Sequence, residues 1–161
     1  MDVLAFRFFN VYGPLQAAGH AYAAVVPAFV DAALRGVPVT VHGDGGQTRD
    51  FTYVGTLCAV VADAVARRVR SPDPVNLAFG TRRSLLDVLD LLAAELGRPI
   101  DVDHVAPRAG DVRDSQASQA ALAALFPDVA PVPIEQGLAR TVAWMRTLSD
   151  VPAHPTPLGS A

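Results

Sequence analysis

Apolar residues along this chain fall into short runs separated by glycine and proline, and the spacing inside each run separates strands from helices. Val3-Leu4-Ala5-Phe6-Arg7-Phe8-Phe9 is an apolar, aromatic-rich run of strand length that stops at Asn10. The turn formers Asn10, Gly13, Pro14 and Gly19 follow, and residues 22–34 then carry apolar positions at helical spacing, closed by Arg35-Gly36. Residues 37–42 predict a strand ended by Gly43-Asp44-Gly45-Gly46, residues 49–54 a second extended segment, and residues 56–69 a helix stopped by Ser71-Pro72-Asp73-Pro74. A strand over 75–79 precedes a helix over 84–96, with Ser84 as N-cap and Gly97 just past its end. A strand over 101–106 and helices over 118–125 and 134–148 complete the pattern, which is that of an α/β or α+β fold. One domain is expected over residues 1–150, followed by a flexible proline-rich tail over 151–161. A buried opening strand with no strand before it leaves an unpaired edge, so further sheet is expected upstream.

Composition narrows the function classes. With 51% hydrophobic and 18% charged residues in 161, the chain can bury a core. The mean hydropathy of +0.29 raises the question of a membrane, but Arg, Asp, Gly or Pro interrupts every run before the roughly 20 apolar residues a spanning helix needs. Asp2 and Arg7 break the pattern of a secretory signal. A formal net charge of −3, with no basic cluster beyond Arg67-Arg68-Val69-Arg70, argues against nucleic acid as a partner. Cys58, among Leu57, Ala59 and Val60, reads as a small buried hydrophobe in a reducing cytoplasm. All 13 basic residues are arginine. The missing lysine amine excludes Schiff-base chemistry, a phosphate-cradling P-loop and the Tyr-x-x-x-Lys pair of hydride-transferring reductases. No Gly-x-Gly-x-x-Gly fingerprint occurs among the 12 glycines, so the chain is not a self-sufficient dinucleotide-binding domain.

Three segments could carry chemistry. In Arg7-Phe8-Phe9-Asn10-Val11-Tyr12-Gly13-Pro14 a strand delivers Asn10 to the loop beyond its carboxyl end, where α/β sheets bind ligands; an Asx turn is the commoner role for such a residue. Residues 39–54 hold a glycine-rich loop and Arg49, whose planar fork suits a diphosphate, although without a lysine the loop is weak evidence and a turn with an exposed Arg49–Asp50 pair is the plainer reading. Pro107-Arg108-Ala109-Gly110-Asp111-Val112-Arg113-Asp114 offers guanidinium for phosphate and carboxylate for sugar hydroxyls, or a self-neutralising surface loop. His20, His104 and His154 do not cluster with cysteine or paired carboxylates, which argues against a metal site.

In order and spacing, residues 7–14, 22–29, 43–54 and 107–114 together resemble the C-terminal, substrate-binding half of extended short-chain dehydrogenases/reductases of the NAD-dependent epimerase/dehydratase family. The likeness runs over residues 3–148 and is nearest to UDP-glucose and UDP-N-acetylglucosamine 4-epimerases. It implies an α/β fold, part of a Rossmann-type enzyme, with mixed short strands, about five helices and no N-terminal Rossmann sheet. It further implies that Asn10 contacts sugar and diphosphate, that Val26 lies in the helix bordering the nucleotide, and that Thr40 and His42 pack against uracil. By the same resemblance Arg49 and Arg108 bind diphosphate, Asp111 holds the uridine ribose, and Phe8 lies beside the nicotinamide. NAD belongs to the full-length enzymes and is not expected to bind this chain alone. No catalytic residue is assigned, because the glycine fingerprint, the Ser/Thr proton relay and the Tyr-x-x-x-Lys base of the family have no counterpart here.

The resulting expectation is a UDP-hexose-binding portion of a UDP-glucose 4-epimerase-like enzyme, active when a separate Rossmann-half chain joins it. The alternatives are a truncated, non-catalytic UDP-sugar-binding module and half of a related nucleotide-sugar dehydratase or decarboxylase. The unpaired first strand predicts poor solubility or a homodimer for the isolated chain. Sedimentation velocity tests this, and a monodisperse, highly soluble monomer contradicts it.

Overall fold

The computed structural model of the chain describes residues 3–17, 24–108 and 110–149. The proposed tail and Tyr22 lie outside them. The described residues form eight short strands and five helices: β1 (Phe6–Phe8), β2 (Val11–Tyr12), α1 (Val25–Arg35), β3 (Val39–His42), β4 (Thr48–Asp50), β5 (Thr52–Tyr53), α2 (Val54–Arg67), β6 (Val75–Leu77), β7 (Arg82–Ser84), α3 (Leu85–Leu96), β8 (Val102–Val105), α4 (Ala120–Leu125) and α5 (Ile134–Ser149). Strands pair two by two: β1 with β6, β2 with β5 and β3 with β8 in parallel, and β4 with β7 antiparallel.

Local chemistry explains the helix boundaries. Ser84 accepts the Asp87 amide while the Asp87 carboxylate accepts the Ser84 amide, a closed capping box that starts α3. Gly36 and Gly97, with φ of 68° and 66°, end α1 and α3 in the left-handed conformation that glycine adopts without strain. Two strands escape a reading of periodicity. β2 lies inside the turn-rich segment and exists through its register with β5. β7, Arg82-Arg83-Ser84, has no apolar alternation and forms by pairing with β4. The expected 49–54 segment divides at Phe51 into β4 and β5, and Val54 already begins α2.

Two clusters make the core. The larger gathers Phe29, Val30, Val41, Val88, Leu92, Leu138 and Val142 from α1, β3, α3 and α5. The smaller packs Val60 and Ala64 of α2 against Val75 and Leu77 of β6, with Leu122 and Phe126 closing one side. Each fully buried Val or Leu contributes roughly 1.5–3 kcal/mol relative to exposure.

Cys58 corrects an expectation, since it is exposed. The buried stripe of α2 is Thr56, Val60 and Ala64, and a residue two positions after Thr56 points to the opposite side at 3.6 residues per turn. Among the described residues, no helix is long and apolar enough to cross a membrane.

Gly137 in α5 lies against Tyr12, whose buried hydroxyl donates to the Ile134 carbonyl at 3.3 Å. Burial, then the neighbouring Tyr53 and Glu135, push the Tyr12 phenol above its ordinary range. A Cβ at Gly137 would come to 2.2 Å from the Tyr12 hydroxyl and 3.0 Å from the Tyr53 ring. Helix propensity favours Ala over Gly by about 1 kcal/mol, whereas overpacking a core costs about 1–3 kcal/mol, so the clash wins. Gly137→Ala is therefore expected to lower the melting temperature; an unchanged or raised value contradicts this packing.

Candidate functional site

The parallel pairing of β3 with β8, Val39 opposite Val102 through His42 opposite Val105, sends two loops out at the same end. Loop 43–47 follows β3 and loop 106–114 follows β8. Several bonds fasten them together. The Gly43 amide donates to the Val105 carbonyl at 2.9 Å. Nδ1 of His104 donates to the Gly43 carbonyl at 2.8 Å, and Nδ1 of His42 to the Ala106 carbonyl at 3.1 Å. Further along, the Thr48 amide donates to the Arg113 carbonyl at 2.8 Å. Gly45, with φ of 76°, turns so tightly against Leu86 that a Cβ would fall 2.7 Å from that side chain. Between the loops lies an open cleft of about 300 Å³ lined by His42, Gly43, Asp44, Gln47, Pro107, Arg108, Asp111 and Arg113.

Charges on the two loops answer each other. Arg49 forms an ion pair with Asp111 and also donates to the carbonyls of Thr48 at 2.8 Å and Arg113 at 3.3 Å. Its side chain is only 15% exposed, so the charge is held in place. Arg113 pairs with Asp44 at 3.0 Å, and Arg82 with Asp114, whose carboxylate also accepts the Thr48 hydroxyl at 2.6 Å. Arg108 has no carboxylate partner among the described residues. A guanidinium without an internal counter-ion, beside loops fixed by backbone bonds, suits a phosphate ester.

One buried acid stands behind this site. Asp50 is 0% exposed, and its carboxylate accepts the Gly80 amide at 2.9 Å and the Thr81 hydroxyl at 3.4 Å. Its backbone carbonyl accepts Nδ2 of Asn10 at 3.1 Å.

The residues expected at the site are distributed as follows. His42, Arg108 and Asp111 line the cleft, and Arg49 reaches it through Asp111. Asn10, with φ of 36°, spends its amide on Asp50 rather than on its own turn. Val26 is buried in the larger core cluster. Thr40 is exposed on β3 and is not among the residues lining the cleft. Phe8, 59% exposed at the end of β1, stacks at 6.5 Å on Phe6. Asp44, Gln47 and Arg113 also line the cleft, and Gln47 donates to the His42 carbonyl at 2.7 Å. All three lie in segments the sequence marks, but spacing does not say which side chains turn inward. Arg82 has no local signal, since only the register Asp50 opposite Arg82 brings it near Asp114.

The described residues do not fit a dinucleotide cofactor. Such a site needs a glycine turn leading from a strand into a helix N-terminus. Here the glycine loop leads from β3 into β4, and the α3 N-terminus is closed by its own capping box. Among the described residues, no group of three or more His, Cys, Asp or Glu could hold a metal ion.

Residues 1–78 match the model of the NAD dependent epimerase/dehydratase family. The chain is 31% identical over 146 residues to a UDP-glucose 4-epimerase of Mycolicibacterium smegmatis, covering 87% of this chain and 44% of that protein. It is 30% identical over 156 residues to a UDP-N-acetyl-alpha-D-glucosaminuronate decarboxylase of Bacillus cytotoxicus, covering 93% and 48%. The fold superposes on the UDP-N-acetylglucosamine 4-epimerase of Methanobrevibacter ruminantium M1, solved in complex with UDP-N-acetylmuramic acid, with a TM-score of 0.83 and 31% identity over 92% of this chain and 47% of that one. The chain thus spans about half the length of the relatives it matches.

Acid should loosen the cleft. Asp44 is held below the ordinary carboxylate range by the Gly46 amide and then by Arg113, and Asp114 by the Thr48 hydroxyl and then by Arg82. The folded state thus takes up these protons less readily than the unfolded one, and the stabilisation they give is present above the unfolded carboxylate pKa and lost as pH falls below it. The melting temperature is expected to fall below about pH 4, and Asp114→Asn to make that fall shallower. Identical pH profiles for the two proteins would remove Asp114 from the account.

Proposed function

Because the chain belongs to the NAD dependent epimerase/dehydratase family, we propose that it is the nucleotide-sugar-binding portion of an epimerase-like enzyme, with the cleft between loops 43–47 and 106–114 as the seat of a uridine diphosphate. The observation that carries this reading is the meeting of Arg108 and Asp111 of loop 106–114 with the Arg49 of β4 that pairs with Asp111, two segments far apart in sequence, at one cleft. Arg108 supplies the unpaired positive charge for the diphosphate. Asp111 gives one carboxylate oxygen to Arg49 and keeps the other for ribose hydroxyls. The His42 ring, anchored through Nδ1, presents its face to the base.

Epimerisation in this reading is shared between two bodies. This chain binds and orients the sugar nucleotide, and the hydride carrier and tyrosine base come from a Rossmann-type half. A decarboxylase or dehydratase half is the second reading, supported by an identity to the decarboxylase of 30% against 31% to the epimerase. A non-catalytic UDP-sugar-binding module makes the same cleft contacts and differs only in having no such partner.

Titration calorimetry of the chain with UDP, UDP-glucose, UDP-N-acetylglucosamine and dTDP-glucose separates the sugar and base preferences. Arg108→Ala is expected to weaken UDP binding at least about tenfold, which corresponds to about 1.4 kcal/mol. Absence of binding heat with every uridine nucleotide, or unchanged affinity in Arg108→Ala, contradicts the proposal.

A further inference from the structure

We propose that Asp111 is an internal competitor for Arg49: its carboxylate holds the guanidinium against simple phosphate anions and yields it to a ligand that brings ribose hydroxyls together with a diphosphate. The cleft thereby selects whole nucleoside diphosphates over inorganic pyrophosphate. This rests on the reading above of the cleft as a uridine diphosphate site.

Three observations carry it. First, Arg49 meets the cleft only through Asp111. Asp111, Arg108 and Arg113 line the cleft and Arg49 does not, and its side chain is 15% exposed against 34% for Asp111. Second, one terminal nitrogen of the Arg49 guanidinium is already committed to the backbone. Nη1 donates to the carbonyls of Thr48 at 2.8 Å and Arg113 at 3.3 Å, and those carbonyls also accept the Ser115 and Thr48 amides at 3.1 and 2.8 Å, so they are fixed in place. Nη2 is the nitrogen that meets a charge, and it meets Oδ1 of Asp111. A phosphate oxygen takes that place only by displacing the carboxylate. Third, the Asp111 amide donates to the Arg108 carbonyl at 3.2 Å, with Gly110 at φ of 81° between them. The competitor and the cleft guanidinium that has no carboxylate partner among the described residues therefore belong to one turn.

Chemistry decides which ligands displace Asp111. Pyrophosphate presents mainly acceptor oxygens and negative charge. If it takes Arg49, the Asp111 carboxylate loses its counter-ion and faces a second anion, and breaking a partly buried ion pair from one side is the costly change. A nucleoside diphosphate supplies both replacements at once. Its ribose hydroxyls donate to the carboxylate, first at Oδ2, and its diphosphate oxygens take over Nη2 of Arg49. No charge is left alone in that exchange.

Asp111→Asn keeps the shape of the side chain and removes its charge, which frees Arg49 for phosphate and takes the ionised acceptor away from ribose. Titration calorimetry of the 161-residue chain with inorganic pyrophosphate and with UDP reads both effects. Asp111→Asn is expected to tighten pyrophosphate binding at least about tenfold and to lower the preference for UDP over pyrophosphate by at least that factor. Adding Arg49→Gln removes both partners together, leaves no lone charge, and should return pyrophosphate to its wild-type affinity. In the wild-type chain the Arg49 Nε–Hε resonance should shift with UDP and stay in place with pyrophosphate, a readout that needs no variant to fold. Unchanged pyrophosphate affinity in Asp111→Asn, equal tightening of both ligands, or a gain that survives in the double variant overturns the proposal. An Arg49 resonance moved equally by both ligands in the wild type overturns it too. A wild-type chain that binds UDP but gives any of these results loses only the competitor, whereas one that binds no UDP loses the nucleotide reading and the competitor with it.

Discussion

Two consecutive residues of β4 tie together the loops around the cleft. Arg49 reaches across to Asp111 and to the carbonyl of Arg113, fixing loop 106–114. Asp50 binds Gly80 and Thr81 through its carboxylate and Asn10 through its carbonyl, fixing the turns that follow β6 and β1. Three loops that are far apart in sequence are thus referred to one short strand. The Asp50 carboxylate has left water entirely, and a buried carboxylate is tolerable only with hydrogen-bond donors aimed at it. That requirement dictates the path of the chain through Gly80, whose φ of 72° lets the backbone amide point inward.

Elements stabilised by their own sequence were legible in advance. The α3 boundaries follow from Ser84 and Gly97, and the helical spacing of α1, α2 and α5 marks their apolar faces. Elements stabilised from elsewhere were not. β2 and β7 have two and three residues, and each exists through a partner strand more than 30 residues away, which no local window contains. Cys58 shows the same limit: its neighbours Leu57, Ala59 and Val60 are all apolar, and only the helix phase shows which side of α2 meets the core.

The candidate site was legible as segments rather than as a geometry. The glycine loop and the Pro107 to Asp114 stretch mark where the cleft lies, and the family resemblance singled out Arg49, Arg108 and Asp111. That Arg49 and Asp111 already bind each other is a fact of the folded chain. It fastens loop 106–114 to β4 within the chain itself. Asp44, Arg108, Asp111 and Arg113 gather charge at the cleft, whereas the outward face of α2, between β5 and β6, is exposed and mainly apolar.

The central claim is that loops 43–47 and 106–114 form one preassembled cleft for a uridine diphosphate. Amide chemical-shift mapping during titration with UDP tests it most directly. The account predicts shifts concentrated in those two loops and at Arg49, with α2 and α4 silent. Shifts confined to other elements, or spread evenly over the chain, would contradict it.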